Sequence, residues 1–322
     1  MKKIFHAVTM TALLVAATSC EHKDLCYDHA HAVEVEVVFD WRNAPDAAPA
    51  SMSLYLFPDD GEALRYDFTG RDGGTIRVPI GKYEALCLNS DTENIGYRNT
   101  ERKGTFEVTT QTSPLLEGLS ALGVRSEAVP RADGAEDECV ALSPDMLWSD
   151  HVESIELKHV PVRQRITLYP EQSVCRYTVE IRNVENLKYV FGLSGSISGL
   201  AGGLLPGTGP DALTGERVTI PFDAAAGEGE NGEKSVVTGA LLTFGHSPAV
   251  DKAHQLTVYA VLSDGSKWYY TYDVTGQIHS APDPRNVHIV LDGLPLPKPI
   301  TNGGGFQPEV EPWQPVEIDI EM

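Results

Sequence analysis

The chain has 322 residues, with 25 Lys+Arg against 46 Asp+Glu and a formal net charge of −21 at pH 7. So acidic a protein is excluded from a nucleic-acid role resting on phosphate neutralisation, and its overall charge opposes attraction to an anionic membrane. The length suits two domains, each large enough to bury a core of its own.

The first element is a leader. Lys2 and Lys3 precede an apolar stretch from Ile4 to Ala17, which His6 interrupts and which is short for a bilayer span. Ala17, Thr18 and Ser19 then run into Cys20, the pattern of a bacterial lipoprotein signal peptide. Residues 1–19 are expected to be removed, leaving a mature chain that starts at an acylated Cys20. Two or more acyl chains anchor a protein stably where one is marginal. Losing two lysines and no acids leaves 25 − 2 = 23 Lys+Arg against 46 Asp+Glu, a net charge of −23.

Residues 20–32 read as a tether. His22, Cys26, His29 and His31 crowd it, and this H-x₃-C-x₂-H-x-H spacing could gather around zinc or copper. A solvated tether explains the same residues, no H-E-x-x-H follows, and no cofactor is implied. Cys26, Cys87, Cys139 and Cys175 are too irregularly spaced for a zinc ribbon. The extracytoplasmic compartment permits disulfides, and the four allow three pairings. Cys87, inside the run Tyr83–Asn89, reads as a buried free thiol.

From Val33 onward the chain is β almost throughout. Strands are predicted at Val33–Trp41, Ser51–Phe57, Thr75–Ile80, Tyr83–Asn89, Thr105–Thr109, Val152–Lys158 and Arg165–Tyr169. They continue at Arg176–Val184, Arg217–Phe222, Val236–Phe244, Gln255–Leu262, Lys267–Val274 and Asn286–Leu291. Short strands at this spacing, punctuated by Gly, Pro, Asn and Asp, indicate sandwiches or barrels. Ser113–Gly123 and Pro144–Trp148 could each hold a short helix. Arg125–Cys139 reads as a long polar loop of the first domain. Asp264-Gly265 closes the clearest hairpin, Leu256–Val274. A boundary is expected near residues 158–165, giving an N-terminal sandwich over 33–160 and a C-terminal one over 161–322. Leu294–Gly305 reads as a Pro/Gly linker to a last segment, 306–322, with alternation at Val316–Ile320.

Motifs of catalysis are weak. Gly227-Glu228-Gly229-Glu230-Asn231-Gly232 spells G-x-G-x-x-G, but lacks a βαβ context and carries acids that would repel a pyrophosphate. In Ser194-Gly195-Ser196-Ile197-Ser198-Gly199 the place of the serine in a nucleophile elbow is held by Ile197. No nucleophile–base set stands out, and a non-enzymatic protein is expected. On one strand Trp268, Tyr270 and Tyr272 share a face while Tyr269 takes the other. Core packing is the default for such a set, and a sugar-binding platform is the alternative.

Several stretches resemble a known family. The mature start Cys20–His31, followed by Val37-Val38-Phe39-Asp40-Trp41, is similar to that of fimbrillin-like lipoproteins of Bacteroidetes. Met52–Pro58, Gly81-Lys82-Tyr83 and Asn89–Glu93 fit the same first-domain pattern, and the ending Gly305–Val316 is similar to fimbrillin-type C-termini. The resemblance implies two tandem transthyretin-like, Greek-key β-sandwiches in an all-β chain. It also implies a fimbria-like structural, anchor or accessory subunit on the outer membrane, whose partners are other subunits met by β-strand addition. The candidate contact residues are Phe306, Trp313, Val316, Ile318 and Ile320. Processing in that group often cuts after an Arg between tether and first strand. Here Arg42 is the first arginine of the mature chain and follows that strand, which favours a subunit that keeps its lipid. A glycan-binding surface lipoprotein is the competing reading.

Overall fold

The fold is described from a computed structural model, which defines residues 32–299 and 313–317 apart from 123, 125–128, 210, 230, 231, 233 and 247–252. The lipidation site Cys20, the tether residues His22, Cys26, His29 and His31, and Phe306, Ile318 and Ile320 lie outside the described residues.

Eleven strands build the first half: β1 Ala32–Phe39, β2 Ser51–Pro58, β3 Leu64–Thr69, β4 Gly73–Pro79, β5 Gly81–Asn89, β6 Ile95–Arg98, β7 Glu107–Thr110, β8 Cys139–Val140, β9 Trp148–Leu157, β10 Gln164–Leu168 and β11 Glu171–Gln172. The second half carries β12 Cys175–Glu185, β13 Val190–Ala201, β14 Gly203–Leu204, β15 Arg217–Glu228, β16 Lys234–Thr243, β17 Gln255–Leu262, β18 Lys267–Asp273, α1 Thr275–His279, β19 Asn286–Pro295 and β20 Gln314–Glu317. The protein is all-β and built of packed sheets, as expected.

In the first half a sheet of order β10-β1-β4 faces one of order β11-β9-β5-β2-β3. Alternation sets the core between them. Val35, Val37 and Phe39 of β1 meet Met52, Leu54 and Leu56 of β2, with Ala85 and Cys87 of β5. The opposite faces of β2 and β5 are buried as well. Tyr55, Phe57, Leu86 and Leu88 pack on Phe106, Val108, Leu147, Val174, Leu204 and Phe244, a cluster shared by both halves. Burial on both faces explains why these two strands read as continuous apolar runs.

The expected strand Val33–Trp41 stops at Phe39. Asp40 accepts the Arg42 backbone N–H (3.1 Å), and a 3₁₀ turn spans Trp41–Asn43. Trp41 is thereby turned in against Trp148, its indole N–H donating to the Arg71 carbonyl at 2.7 Å. Strand β3 escaped sequence analysis because Arg65 and Asp67 interrupt its apolar residues. It is an edge strand whose charges pair with each other at 2.9 Å, a common protection for an edge. The expected helix Pro144–Trp148 is absent. Asn89 fixes that stretch extended by donating to the Met146 carbonyl and accepting from the Trp148 N–H (3.1 and 2.8 Å).

Strand β10, expected to open the second series, pairs in parallel with β1, Val35 opposite Gln164 through Phe39 opposite Leu168. The short β11 extends the other first-half sheet through β9. The boundary expected near residues 158–165 coincides with Val160-Pro161. A turn containing proline ends a strand equally well inside one sandwich.

The second half is one folded-over sheet of order β19-β12-β16-β15-β13-β17-β18-β20, with β8 attached to β15. Strand β15 turns the corner: Arg217–Asp223 pair with β13, and Ala224–Glu228 with β16. Tyr177, Ile181, Ile197, Leu200, Leu256, Tyr270, Tyr272, Ile289 and Leu291 fill the space between its two layers. The Asp264-Gly265 hairpin is present, with Gly265 at φ +86 and Asp264 Oδ1 accepting from Ser266 N–H. The expected first-domain loop Arg125–Cys139 does not end in the first half. Its end forms β8, which adds to β15 of the second sheet. Among the described residues no helix is long and apolar enough to cross a membrane, and Cys87, Cys139 and Cys175 are unbridged.

Candidate functional site

The C-terminal segment reaches the edge of the second sheet. Gln314–Glu317 form β20, parallel to β18, with Trp268 opposite Gln314 and Tyr270 opposite Val316. Trp313 and Val316 go to different sides. Val316 packs against the inner core beside Tyr270. Trp313 meets an outer cluster on the other face of β17, made of Tyr259 and Val261 with Leu115, Leu116, Leu119, Val124 and Val140. Its ring stands edge-on to Tyr259, centroids 5.4 Å apart at 78°. The outer cluster is supplied by the excursion between β7 and β9, whose 3₁₀ turn Glu117–Leu122 falls within the expected helix Ser113–Gly123. Tyr259 donates to the Pro130 carbonyl at 2.8 Å, and burial pushes its pKa up to about 12.

The β18–β20 edge is short. Among the described residues four pair, and residues 300–312 lie between them and the β19 tail. That tail is held more firmly than a linker. Leu294 and Leu296 are buried, Tyr270 donates to the Pro295 carbonyl at 3.1 Å, and Asn186 donates to the Leu296 carbonyl at 2.6 Å. The aromatic set of β18 is largely core: Tyr270 and Tyr272 are buried and Trp268 is partly buried against them. No exposed row of rings is left there for a sugar.

The fold gathers three of the later histidines. His246 follows β16, His254 precedes β17 and His279 ends α1. Their ring centroids lie 4.9–5.5 Å apart. His254 Nε2 is 3.1 Å from His279 Nε2, and His246 Nδ1 is 2.7 Å from the Tyr177 hydroxyl. Burial, reinforced by neighbouring imidazoles, holds His246 and His254 down at about 4, so both are neutral at pH 7. Among the described residues no set of three His, Cys, Asp or Glu stands in metal-holding geometry. No local spacing signals this cluster, since its members come from three separate connections.

Beside it lies a part-buried ion pair. Arg217 Nε is 3.1 Å from Glu138 Oε1, and Glu138 Oε2 accepts from Gly199 N–H (2.9 Å) and Thr219 Oγ1 (3.0 Å). Arg217 also donates to the Ala253 carbonyl. Glu138 thus ties the β7–β9 excursion to β13 and β15. Gly199 sits at φ +79, and a Cβ there would fall 2.3 Å from Arg217 Nη2 and 2.9 Å from His254 Nδ1. This is the place of the Ser194–Gly199 stretch: a strand ending in a bulge rather than a nucleophile elbow.

Lys103 is another inter-half tie. It is buried, and its Nζ lies 2.8 Å from both Glu153 Oε1 and the Gly207 carbonyl. A wide acidic depression is lined by Asp59, Asp60, Glu62, Glu84, Glu101 and Arg102. A smaller one is lined by Ser113, Glu117, Ser143, Ser194, Phe222 and Asp223.

The chain is 25% identical over 195 residues to a Bacteroides ovatus protein named "Putative fimbrium anchoring subunit Fim4B", a match covering 60% of this chain and 53% of that one. The match thus spans about half the length of that curated relative. A solved structure titled as a putative adhesin from Bacteroides ovatus is 20% identical, with TM-score 0.59, over 87% of this chain and 99% of the other. The fimbrial anchor protein Mfa2 of Porphyromonas gingivalis aligns over 80% of this chain and 90% of its own at 14% identity, with TM-score 0.46. The family described as "Domain of unknown function (DUF5119)" matches residues 19–223, and the chain belongs to that family.

Proposed function

We propose that this is a non-enzymatic lipoprotein of the cell envelope, anchored on the outer membrane through acyl chains on Cys20, that serves as an anchoring or accessory subunit of a fimbria-like assembly. The observation that carries this reading is the 195-residue similarity to the relative named for fimbrium anchoring. The lipoprotein leader and the absence of an arginine between Cys20 and the first strand agree with a subunit that keeps its tether.

The proposed contact is the β18 edge with segment 306–322. A sheet edge presents unpaired N–H and C=O groups that a strand from another chain can satisfy, with side-chain pockets setting register. Among the described residues the protein's own β20 covers that edge over four positions, a pairing that a longer partner strand displaces. In this reading Trp313 and Val316 hold the edge closed until a partner subunit is met. The two sandwiches, proposed to divide between β11 and β12, act as a rigid spacer between tether and edge.

The test is crosslinking on intact cells with recovery of the bound partner, run beside a chain lacking 306–322. Adducts with a fimbrial subunit that vanish on deletion support the reading. Adducts unchanged by the deletion overturn the assigned contact, and an N-terminal peptide without acyl chains overturns the anchor.

A further inference from the structure

Five chain segments meet at one end of the N-terminal sandwich. Strand β1 begins there, Ala32 opposite Pro79, and β4 ends there. The turn through Ile80 leads into β5, whose Gly81 lies opposite Leu157, the last residue of β9. Residues 158–163 then return the chain to β10. Their neck is closed by two hydrogen bonds, Lys158 N–H to Gln164 Oε1 (3.0 Å) and Gln164 Nε2 to the Lys158 carbonyl (2.9 Å).

The side chains at this tip are unusual for so acidic a protein. Ile80 is 38% exposed, Val160 39% and Val162 69%, three of the five large apolar side chains that are exposed among the described residues. Exposed apolar residues scattered singly need no explanation, but a group on adjoining loops marks an interaction surface. Around them stand Arg77, Lys82, Lys158 and Arg163, all exposed. The acids here are fewer. Glu156 is 2.7 Å from Lys158 and lies opposite Lys82, and Glu34 lies opposite Arg77. Arg163 donates to Thr75 Oγ1 at 3.0 Å. Farther along the sheet Arg165 pairs with Glu36 at 2.9 Å. Four cations against two acids leave the tip at +2, in a chain of net charge −21.

The end of the described chain says what covers this surface. Ala32 is twelve residues from Cys20, and a fully extended chain spans at most about 3.3–3.6 Å per residue, so the tip lies within roughly 40 Å of the acylated cysteine. We propose that Ile80, Val160 and Val162, ringed by Lys82, Lys158 and Arg163, form a lipid-binding surface that seats the N-terminal sandwich on the bilayer beside its anchor. The apolar side chains enter the headgroup–acyl boundary and the cations meet lipid phosphates. Charge then sets orientation. Within a Debye length of about 8–10 Å the tip is attracted, while the acidic body is repelled and stands away. The C-terminal sandwich, with its β18–β20 edge, is thereby held off the membrane. This inference rests on the reading of Cys20 as acylated.

The test uses the full mature protein purified from cells and reconstituted in phosphatidylcholine vesicles with and without phosphatidylglycerol. Mass analysis of the N-terminal peptide reports the acyl chains separately. Backbone hydrogen exchange is compared in vesicles and in detergent. The expected result is slowing by about threefold or more at Ile80, Lys82 and residues 158–163, stronger with phosphatidylglycerol, and no change in the β15–β16 hairpin. A V160D/V162D double variant retains vesicle association through its lipid and loses the slowing. K158E with R163E loses only the phosphatidylglycerol-dependent part. Acylated protein whose tip exchanges equally in vesicles and detergent overturns this inference and leaves the anchor standing. Protein lacking acyl chains overturns both. Protection that follows protein concentration without vesicles assigns the surface to another protein copy and overturns it too.

Discussion

Trp313 of the C-terminal segment stands edge-on against Tyr259 of the second sheet, ring centroids 5.4 Å apart at 78°. The contact places Trp313 on the outer face of β17, while Val316, three residues on, faces the inner core. One short strand therefore joins two apolar clusters at a sheet edge.

Trp313→Ala should release that strand without unfolding the sandwich. Edge-to-face aromatic pairs contribute about 0.5–1.5 kcal/mol beyond area burial. Hydrogen exchange at Val316 and Glu317 is expected to speed up at least several-fold, with the global melting temperature little changed. Unaltered exchange would show that Trp313 does not hold β20.

The histidine cluster makes stability depend on pH in a defined window. His246 and His254 are held at about 4 in the folded protein, against about 6.5 for a free imidazole. A base with a lowered folded pKa binds fewer protons folded than unfolded. Its contribution is thus complete above pH 6.5 and falls away between 6.5 and 4. For His254, which is fully buried, the loss is on the order of 3 kcal/mol. Urea denaturation at pH 7.5, 5.5 and 4.5 should show this decline. His254→Gln should flatten it, and an equal slope in the variant would count against the cluster as its source.

Glu138 and Arg217 should behave as a buried pair. Their side chains are 8% and 18% exposed, and removing one partner of such a pair costs about 3–5 kcal/mol. Glu138→Ala also strips acceptors from Gly199 N–H and Thr219 Oγ1. A loss below about 1 kcal/mol in chemical denaturation would mean that water replaces the carboxylate.

Gly199→Ala tests the same corner through the backbone. At φ +79, with Arg217 Nη2 2.3 Å from the added carbon, alanine meets both torsional strain and a clash. A stability loss of about 2 kcal/mol or more is expected, exceeding that of Gly→Ala at the open position Gly265.

Much of this fold was legible because alternation survives wherever one face of a strand is buried. Asn286–Leu291 shows it, alternating exposed and buried at the start of β19, whereas Gln255–Leu262, buried on both faces, reads as a continuous apolar run whose predicted and observed limits coincide. Legibility fell where neighbours decided the matter. Leu64–Thr69 carries exposed charges and needed its partner β2 to hold it extended, and Asn89 straightened a stretch that reads as helical. The parallel pairing of β10 with β1 joins residues about 130 apart and leaves no local trace. The histidine cluster and the Glu138–Arg217 pair were hidden for the same reason. Chemistry assembled from separate loops has no spacing to read. The expected lipoprotein leader is the converse case, read from sequence alone.

The central claim is that this anchored chain meets another subunit at the β18 edge. The most direct measurement places a photo-crosslinking residue at Thr271 of β18 in intact cells and identifies the adducts by mass. The account predicts adducts with a separate fimbrial subunit, lost when 306–322 are deleted. Crosslinks only to the chain's own residues 313–317, in cells that display the complete assembly, would contradict it.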